Sequence, residues 1–158
     1  TLVDDDGQQR VVDGLPSIGS PAEAFGVHDV VVGDDDTLYA VVGLAGTPEF
    51  RAEFGEAGEL LGTLIQIDSE GNIEIIADIA QYEADENPDG DVVDSNPFSL
   101  TMDGDDFIVT DAGGNSLLRV GMDGTISTIA VFPSQLVPAP PFIEDMDEIP
   151  MHAVPTGV

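Results

Sequence analysis

Cysteine is absent, so neither a disulfide nor a thiolate metal site can staple this chain. Lysine is absent too, and the 3 basic residues, all arginine, face 32 Asp and Glu for a formal charge of -29. Neutralising phosphates needs basic side chains, so a nucleic-acid binder and a binder of anionic membranes are both excluded. No basic stretch with an apolar segment behind it opens the chain, and no run of 18 apolar residues occurs. The expectation is a soluble chain from which any signal peptide has gone. The catalytic templates are missing as well: no G-x-S-x-G elbow, no Walker loop, no H-E-x-x-H and no cysteine nucleophile. Asn72, Asn87, Asn96 and Asn115 all lack the third residue of an N-glycosylation acceptor.

What is present argues for a folded domain. Hydrophobic residues make up 42% of 158 positions, far above the level of acidic disordered tails, and the length fits one core. At -29, self-repulsion works against compactness unless salt or divalent cations screen it. That charge suits a secreted protein in an extracellular or periplasmic setting, and equally a solvated acidic surface with no specific ion.

Internal repetition sets the architecture. Residues 64–79, LIQIDSEGNIEIIADI, match 117–132, LLRVGMDGTISTIAVF, at an offset of 53. Each reads as a hairpin, with alternating Leu64, Ile65 and Ile67 before a turn at Asp68 to Asn72, and Leu117, Leu118 and Val120 before a turn at Met122 to Thr125. Upstream, 28–43 parallels 97–112 at an offset of 69 through the turn, or 70 if Val27 takes the place of Pro97. The unequal offsets place an insertion at Gly43 to Gly62. There Pro48, Phe50, Phe54 and Leu61 predict one short helix. A partial hairpin opens the chain, with Leu2 and Val3, a turn at Asp6-Gly7-Gln8, then Val11 and Val12.

Four short antiparallel strands per repeat, with closely spaced turn signals, predict an all-β fold: a β-propeller of four-stranded antiparallel blades, about two full blades plus parts of two others. A β-sandwich explains the strands but not the repeat. As one propeller segment, residues 1–16 end a blade, 27–80 form a blade with the 43–62 insertion, and 96–133 form another. Residues 134–153 are a proline-rich linker, and 154–158 start the next blade. Propellers close with about 4 to 8 blades, so this reading expects an arc completed by further chain or by a partner, as an oligomer or assembly. In the linker, Phe142, Ile143, Met146, Ile149 and Met151 are expected to cover a propeller face or a partner.

The motifs Val11-Val12-Asp13-Gly14-Leu15-Pro16-Ser17, Gly26-Val27-His28-Asp29-Val30, Gly62-Thr63-Leu64, Asn87-Pro88-Asp89-Gly90, Asp94-Ser95-Asn96-Pro97-Phe98 and Asp111-Ala112-Gly113-Gly114-Asn115 occur in this order. As a set they resemble the ScyD/ScyE family. The resemblance implies an exported bacterial protein with a six-bladed NHL-like propeller, of which this chain covers about the N-terminal half, and it carries no established activity. Some members are encoded with the genes for the pigment scytonemin. Val109 to Val120 is similar to the NHL signature, and Asp111, Asn115 and Arg119 there read as a structural turn clasp around Gly-Gly.

In a propeller the innermost strands line the channel, so their ends face its mouth. His28, Asp29, Asn96 and Thr156 occupy these positions and are the ligand-binding candidates. In gluconolactonase-like propellers, channel-mouth Asn, Asp and Glu residues hold a divalent cation that polarises a lactone carbonyl. By that likeness Asp29, Asn96 and Asp111 would supply oxygens to Ca2+ and His28 would be the catalytic base. Acidic turns at 4–7, 34–36, 85–94 and 103–106 offer further carboxylates, or simply make the turns. The expected function is a secreted binding or assembly module, with a Ca2+-dependent lactonase-like or hydrolase-like enzyme as the alternative.

Overall fold

A computed structural model describes residues 2–4, 7–19, 24–33, 36–143 and 146–158. The chain is mostly β, in antiparallel sheets of five, four, two and two strands. The short strands β1 (Leu2–Asp4) and β2 (Gly7–Gln9) form a hairpin. Next come β3 (Ser17–Gly19), β4 (Ala24–Val32), β5 (Leu38–Val42), β6 (Thr63–Ile67) and β7 (Ile73–Asp78), paired in chain order as one meander. A second meander runs through β8 (Pro97–Asp103), β9 (Asp106–Asp111), β10 (Ser116–Gly121) and β11 (Ile126–Val131).

The sequence repeat reappears as geometry. The β6–β7 ladder shifts register between Leu64 and Ile65, and the β10–β11 ladder between Leu117 and Leu118, at matching places in the repeat. Likewise β4–β5 shifts between Val27 and Asp29, and β8–β9 between Pro97 and Ser99. The turns from β6 to β7 and from β10 to β11 repeat too. Gly71 donates to the Asp68 carbonyl at 3.0 Å and Gly124 to that of Gly121 at 2.9 Å, and both glycines take φ near +80°, which only a residue without Cβ adopts without strain. Bulges bend a strand and increase its twist, so identical bulges give the two units the same curvature.

That shared shape lets the units stack. Tyr39, Val41, Leu64 and Ala77 of the first sheet meet Leu100, Phe107, Val109, Leu118 and Val120 of the second, with the rings of Tyr39 and Phe107 4.8 Å apart. Alternation sends Ala40, Val42, Ile65 and Ile67 to the opposite side, against Val12, Leu15, Ile18, Phe25, Phe50 and Phe54. The first sheet is therefore buried on both faces, which is why β5 and β6 read as near-continuous apolar runs.

The insertion contains the expected helix as α1 (Pro48–Arg51), capped by the Thr47 hydroxyl accepting from the Phe50 N–H at 3.3 Å, and 3-10 turns over Ala52–Gly58 follow it, broken at Gly55, where φ is 58°. Arg51 grips Asp78 with its two terminal guanidinium nitrogens and donates to the Leu61 carbonyl at 3.1 Å, tying the insertion to the end of β7.

Several expectations are corrected. The first sheet has five strands rather than four, because β3 pairs with the first three residues of β4 before β4 turns to β5. In the opening hairpin Asp4 pairs with Gly7, so Gly7 and Gln8, expected in the turn with Asp6, are strand, Asp6 lies outside the described residues, and Val11 and Val12 are not strand. A second helix, α2 (Ile79–Glu86), follows β7, with the Asp78 carboxylate accepting from the Gln81 N–H at 3.0 Å and Asn87 ending it in left-handed conformation. The linker is not simply extended: β12 (Gln135–Pro138) and β13 (Glu148–Met151) form a hairpin. Its prolines are tolerated because a two-stranded ribbon leaves every strand an outer edge that needs no N–H. Phe142, Met146 and Met151 lie exposed on this segment rather than covering the chain's own sheets. Residues 154–158 form no strand. Among the described residues no helix is long and apolar enough to cross a membrane.

Candidate functional site

The densest polar structure lies where β9 turns into β10. Asp111 is fully buried, with four donors converging on it: Ser95 Oγ at 2.7 Å, and the backbone N–H groups of Asn96 at 2.6 Å and of Gly113 and Gly114 at 3.1 Å. Burial pushes its pKa up and these hydrogen bonds oppose the rise. Neither glycine can carry a side chain. A Cβ on Gly113 would sit 2.8 Å from the Asp94 carbonyl oxygen, and one on Gly114 would sit 2.6 Å from Glu83 Oε2.

Asn115 closes the link at φ 45°, the left-handed conformation that asparagine tolerates. Its amide nitrogen reaches Asp89 Oδ2 at 3.0 Å, the Gly113 carbonyl at 3.1 Å and His152 Nδ1 at 3.3 Å, while its oxygen accepts from the Val154 N–H at 3.2 Å. One side chain thus joins the loop after α2, the β9–β10 link and the C-terminal segment. Between these three lies an open cleft of about 420 Å3, bordered by Asp89, Asp91, Asp94, Asn96, Asn115 and His152. His152 Nδ1 stands 4.0 Å from Asp91 Oδ2 across it.

Behind the cleft, α2 places Glu83 against Gly114, only 2% exposed. Burial first, then the charges of Asp111, Asp89 and Asp94, pushes its pKa up to about 8. Asp94 is raised by burial and by Asp89. Glu83 Oε1, Asn87 Oδ1 and Asp94 Oδ1 are buried without a hydrogen-bond partner. No group of three or more His, Asp or Glu side chains among the described residues is arranged to hold a metal ion.

The residues singled out from sequence divide between two places. Asn96 and Asp111 meet at the link, where the Asn96 side-chain oxygen also accepts from the Leu44 N–H of the first unit at 3.2 Å. His28 and Asp29 lie instead between the inner strands β4 and β8. His28 Nδ1 is 3.0 Å from the Pro97 carbonyl, which places a proton on that nitrogen, and its ring lies 4.7 Å from that of Phe98. Asp29 Oδ2 accepts from Ser99 Oγ at 2.9 Å and from the Leu100 N–H at 3.1 Å. The Asp29 carboxylate is thereby engaged with β8 rather than with Asn96 or Asp111. Arg119 points toward the β8–β9 turn, paired with Asp103 at 2.8 Å and Asp106 at 3.0 Å. Thr156 is exposed on the terminal segment.

Glu83 escaped the sequence reading, because Ile79 and Ala80 continue the apolar pattern of β7 and hide the start of α2. The signal was the pair Asp78 and Asn87, a capping residue and a left-handed terminator at helical separation. Neither a protein-family model, nor a curated protein sequence, nor a solved structure matches the chain.

Proposed function

We propose that this chain is a segment of a secreted β-propeller of the ScyD/ScyE type, working as a binding or assembly module. The observation that carries the reading is the stacking of two meanders with the same bulges and turns, their inner strands β4 and β8 clasped side by side by Asp29 and His28. Repeated wedges around an axis stack in this way. The outer strands β7 and β11 each pair on one side only, and Leu136, Phe142, Met146 and Met151 project apolar surface from the β12–β13 segment. Unpaired edges and clustered apolar side chains are surfaces that further blades or a partner chain would cover.

The lactonase-like alternative draws less support. The oxygens that the likeness assigns to its cation do not converge: Asp29 is engaged with Ser99 and Leu100 of β8, and Asp111 by four donors at the β9–β10 link. Light scattering on the isolated chain tests the assembly reading. The expected result is a mass at a multiple of 16.5 kDa, lowered by Phe142→Ser with Met146→Ser. A monodisperse monomer at high concentration would overturn it.

A further inference from the structure

We propose that His152 is a pH-sensitive latch on the cleft: neutral, it holds the segment 152–158 weakly against the β9–β10 link, and protonated, it pins that segment to Asp91. The carrying observation is crowding at the Asn115 amide nitrogen. Two hydrogens there face three acceptors, Asp89 Oδ2 at 3.0 Å, the Gly113 carbonyl at 3.1 Å and His152 Nδ1 at 3.3 Å. The nearer oxygens take both hydrogens, so the neutral ring is the acceptor left over. On protonation Nδ1 becomes a donor and can no longer accept from the amide. Its next neighbour is Asp91 Oδ2 at 4.0 Å, too far for a hydrogen bond while the ring leans on Asn115 and the natural acceptor once it turns away.

Little else holds the segment. Among the described residues its one other hydrogen bond to the cleft runs from the Val154 N–H to Asn115 Oδ1 at 3.2 Å. Val154 makes it at φ 48°, a left-handed conformation that strains a β-branched residue, the more so ahead of Pro155. Such strain lasts only while contacts around it enforce it. Residues 152–158 are exposed apart from Pro155, so the enforcing contacts are those at Asn115. His152 and Val154 both border the cleft, and releasing them opens it on that side. The surrounding charges fix the sign of the switch. Asp89, Asp91 and Asp94 border the cleft from the loop after α2, the link offers the neutral Asn115 with Asp111 and Glu83 buried behind it, and Asp147 and Glu148 belong to the β12–β13 segment. All of these charged groups are acidic, and Arg10, Arg51 and Arg119 are paired elsewhere, so a protonated ring is drawn into the latched position. The latch closes as pH falls from about 8 to about 5, the range in which imidazole changes charge. It requires neither the propeller reading nor a bound ligand.

Amide hydrogen exchange at Val154, followed by NMR on the whole chain and expressed relative to the intrinsic rate at each pH, tests the latch. Protection is expected to be about fivefold greater near pH 5 than near pH 8, the upper end of what a half-exposed ion pair supplies. His152→Gln should remove that difference while leaving in place Glu83, whose burial makes it titrate in the same range. Asp91→Asn should lower the protection at the acidic end to the level of the alkaline end. Both replaced side chains are exposed, circular dichroism confirms that each variant is folded, and either one serves if the other does not fold. Equal protection at the two pH values in the unaltered chain, or a difference that survives either substitution, would sink the proposal.

Discussion

Replacing Asp111 with alanine removes the acceptor that gathers Ser95, Asn96, Gly113 and Gly114. Four donors lose their partner, those of Ser95 and Gly114 in fully buried positions, and each buried group so left costs about 1 to 3 kcal/mol. Part of that is offset, because the variant no longer buries an ionised group beside Glu83 and Asp94, and ions without a counter-charge cost several kcal/mol to bury. The net expectation is a loss of about 3 kcal/mol, a large share of the roughly 5 to 15 kcal/mol that holds a domain together. Asp111→Asn separates the two contributions. Its oxygen keeps the three backbone donors, and the Ser95 hydroxyl can rotate to accept from the new amide nitrogen, so the network survives while the charge goes. That variant should lose no more than about 1 kcal/mol. Urea unfolding resolves the difference: with a slope of about 2 kcal/mol/M, the midpoint should fall by about 1.5 M for alanine and by less than about 0.5 M for asparagine. Equal losses in the two variants, or a loss under about 1 kcal/mol for alanine, would refute the argument that hydrogen-bond convergence rather than charge is what Asp111 supplies.

Gly43→Ala should cost about 1 to 3 kcal/mol of overpacking, because its Cβ would stand 2.1 Å from His28 Cε1 and 2.6 Å from Asn96 Oδ1. Thermal unfolding checks the cost, and unchanged stability with an undisturbed His28 ring signal in NMR would contradict the packing described. For Glu83, the folded-state pKa of about 8 lies above its ordinary 4.5, so the folded chain binds more protons than the unfolded one between those values. As far as this group is concerned, stability should therefore be greatest at and below about pH 4.5 and be lost as pH rises from there to about 8, by up to roughly 5 kcal/mol. Glu83→Gln should flatten that decline, and parallel pH profiles for the two proteins would show that the burial of Glu83 does not have this consequence.

Much of the fold was legible because short-range chemistry writes it. Val27 standing in for Pro97 marks the point where both ladders shift register, and Asp68 and Gly71 make the same turn that Gly121 and Gly124 make. Pro48 announced α1. By contrast, α2 was masked by an apolar run that suits either secondary structure, and the β12–β13 hairpin by prolines that suit any extended chain. Of the polar residues singled out, Asn96, Asp111 and Asn115 meet around one link, whereas His28 and Asp29 lie between strands 69 to 71 residues apart in the chain. Those separations match the repeat offset of 69 to 70, which aligns β4 with β8, but an offset does not say that equivalent strands pack side by side.

Composition and periodicity alone determined that this chain is acidic, cysteine-free and built of repeated antiparallel strands, since strand, turn and charge follow from residues within a few positions of one another. Only the tertiary structure decided that Glu83, from a helix the pattern conceals, is shut away beside Gly114 and Asp111, and that Asn115 gathers three distant segments. Burial and the pooling of like charge belong to the packed chain and to no segment of it, so no local reading could have supplied them.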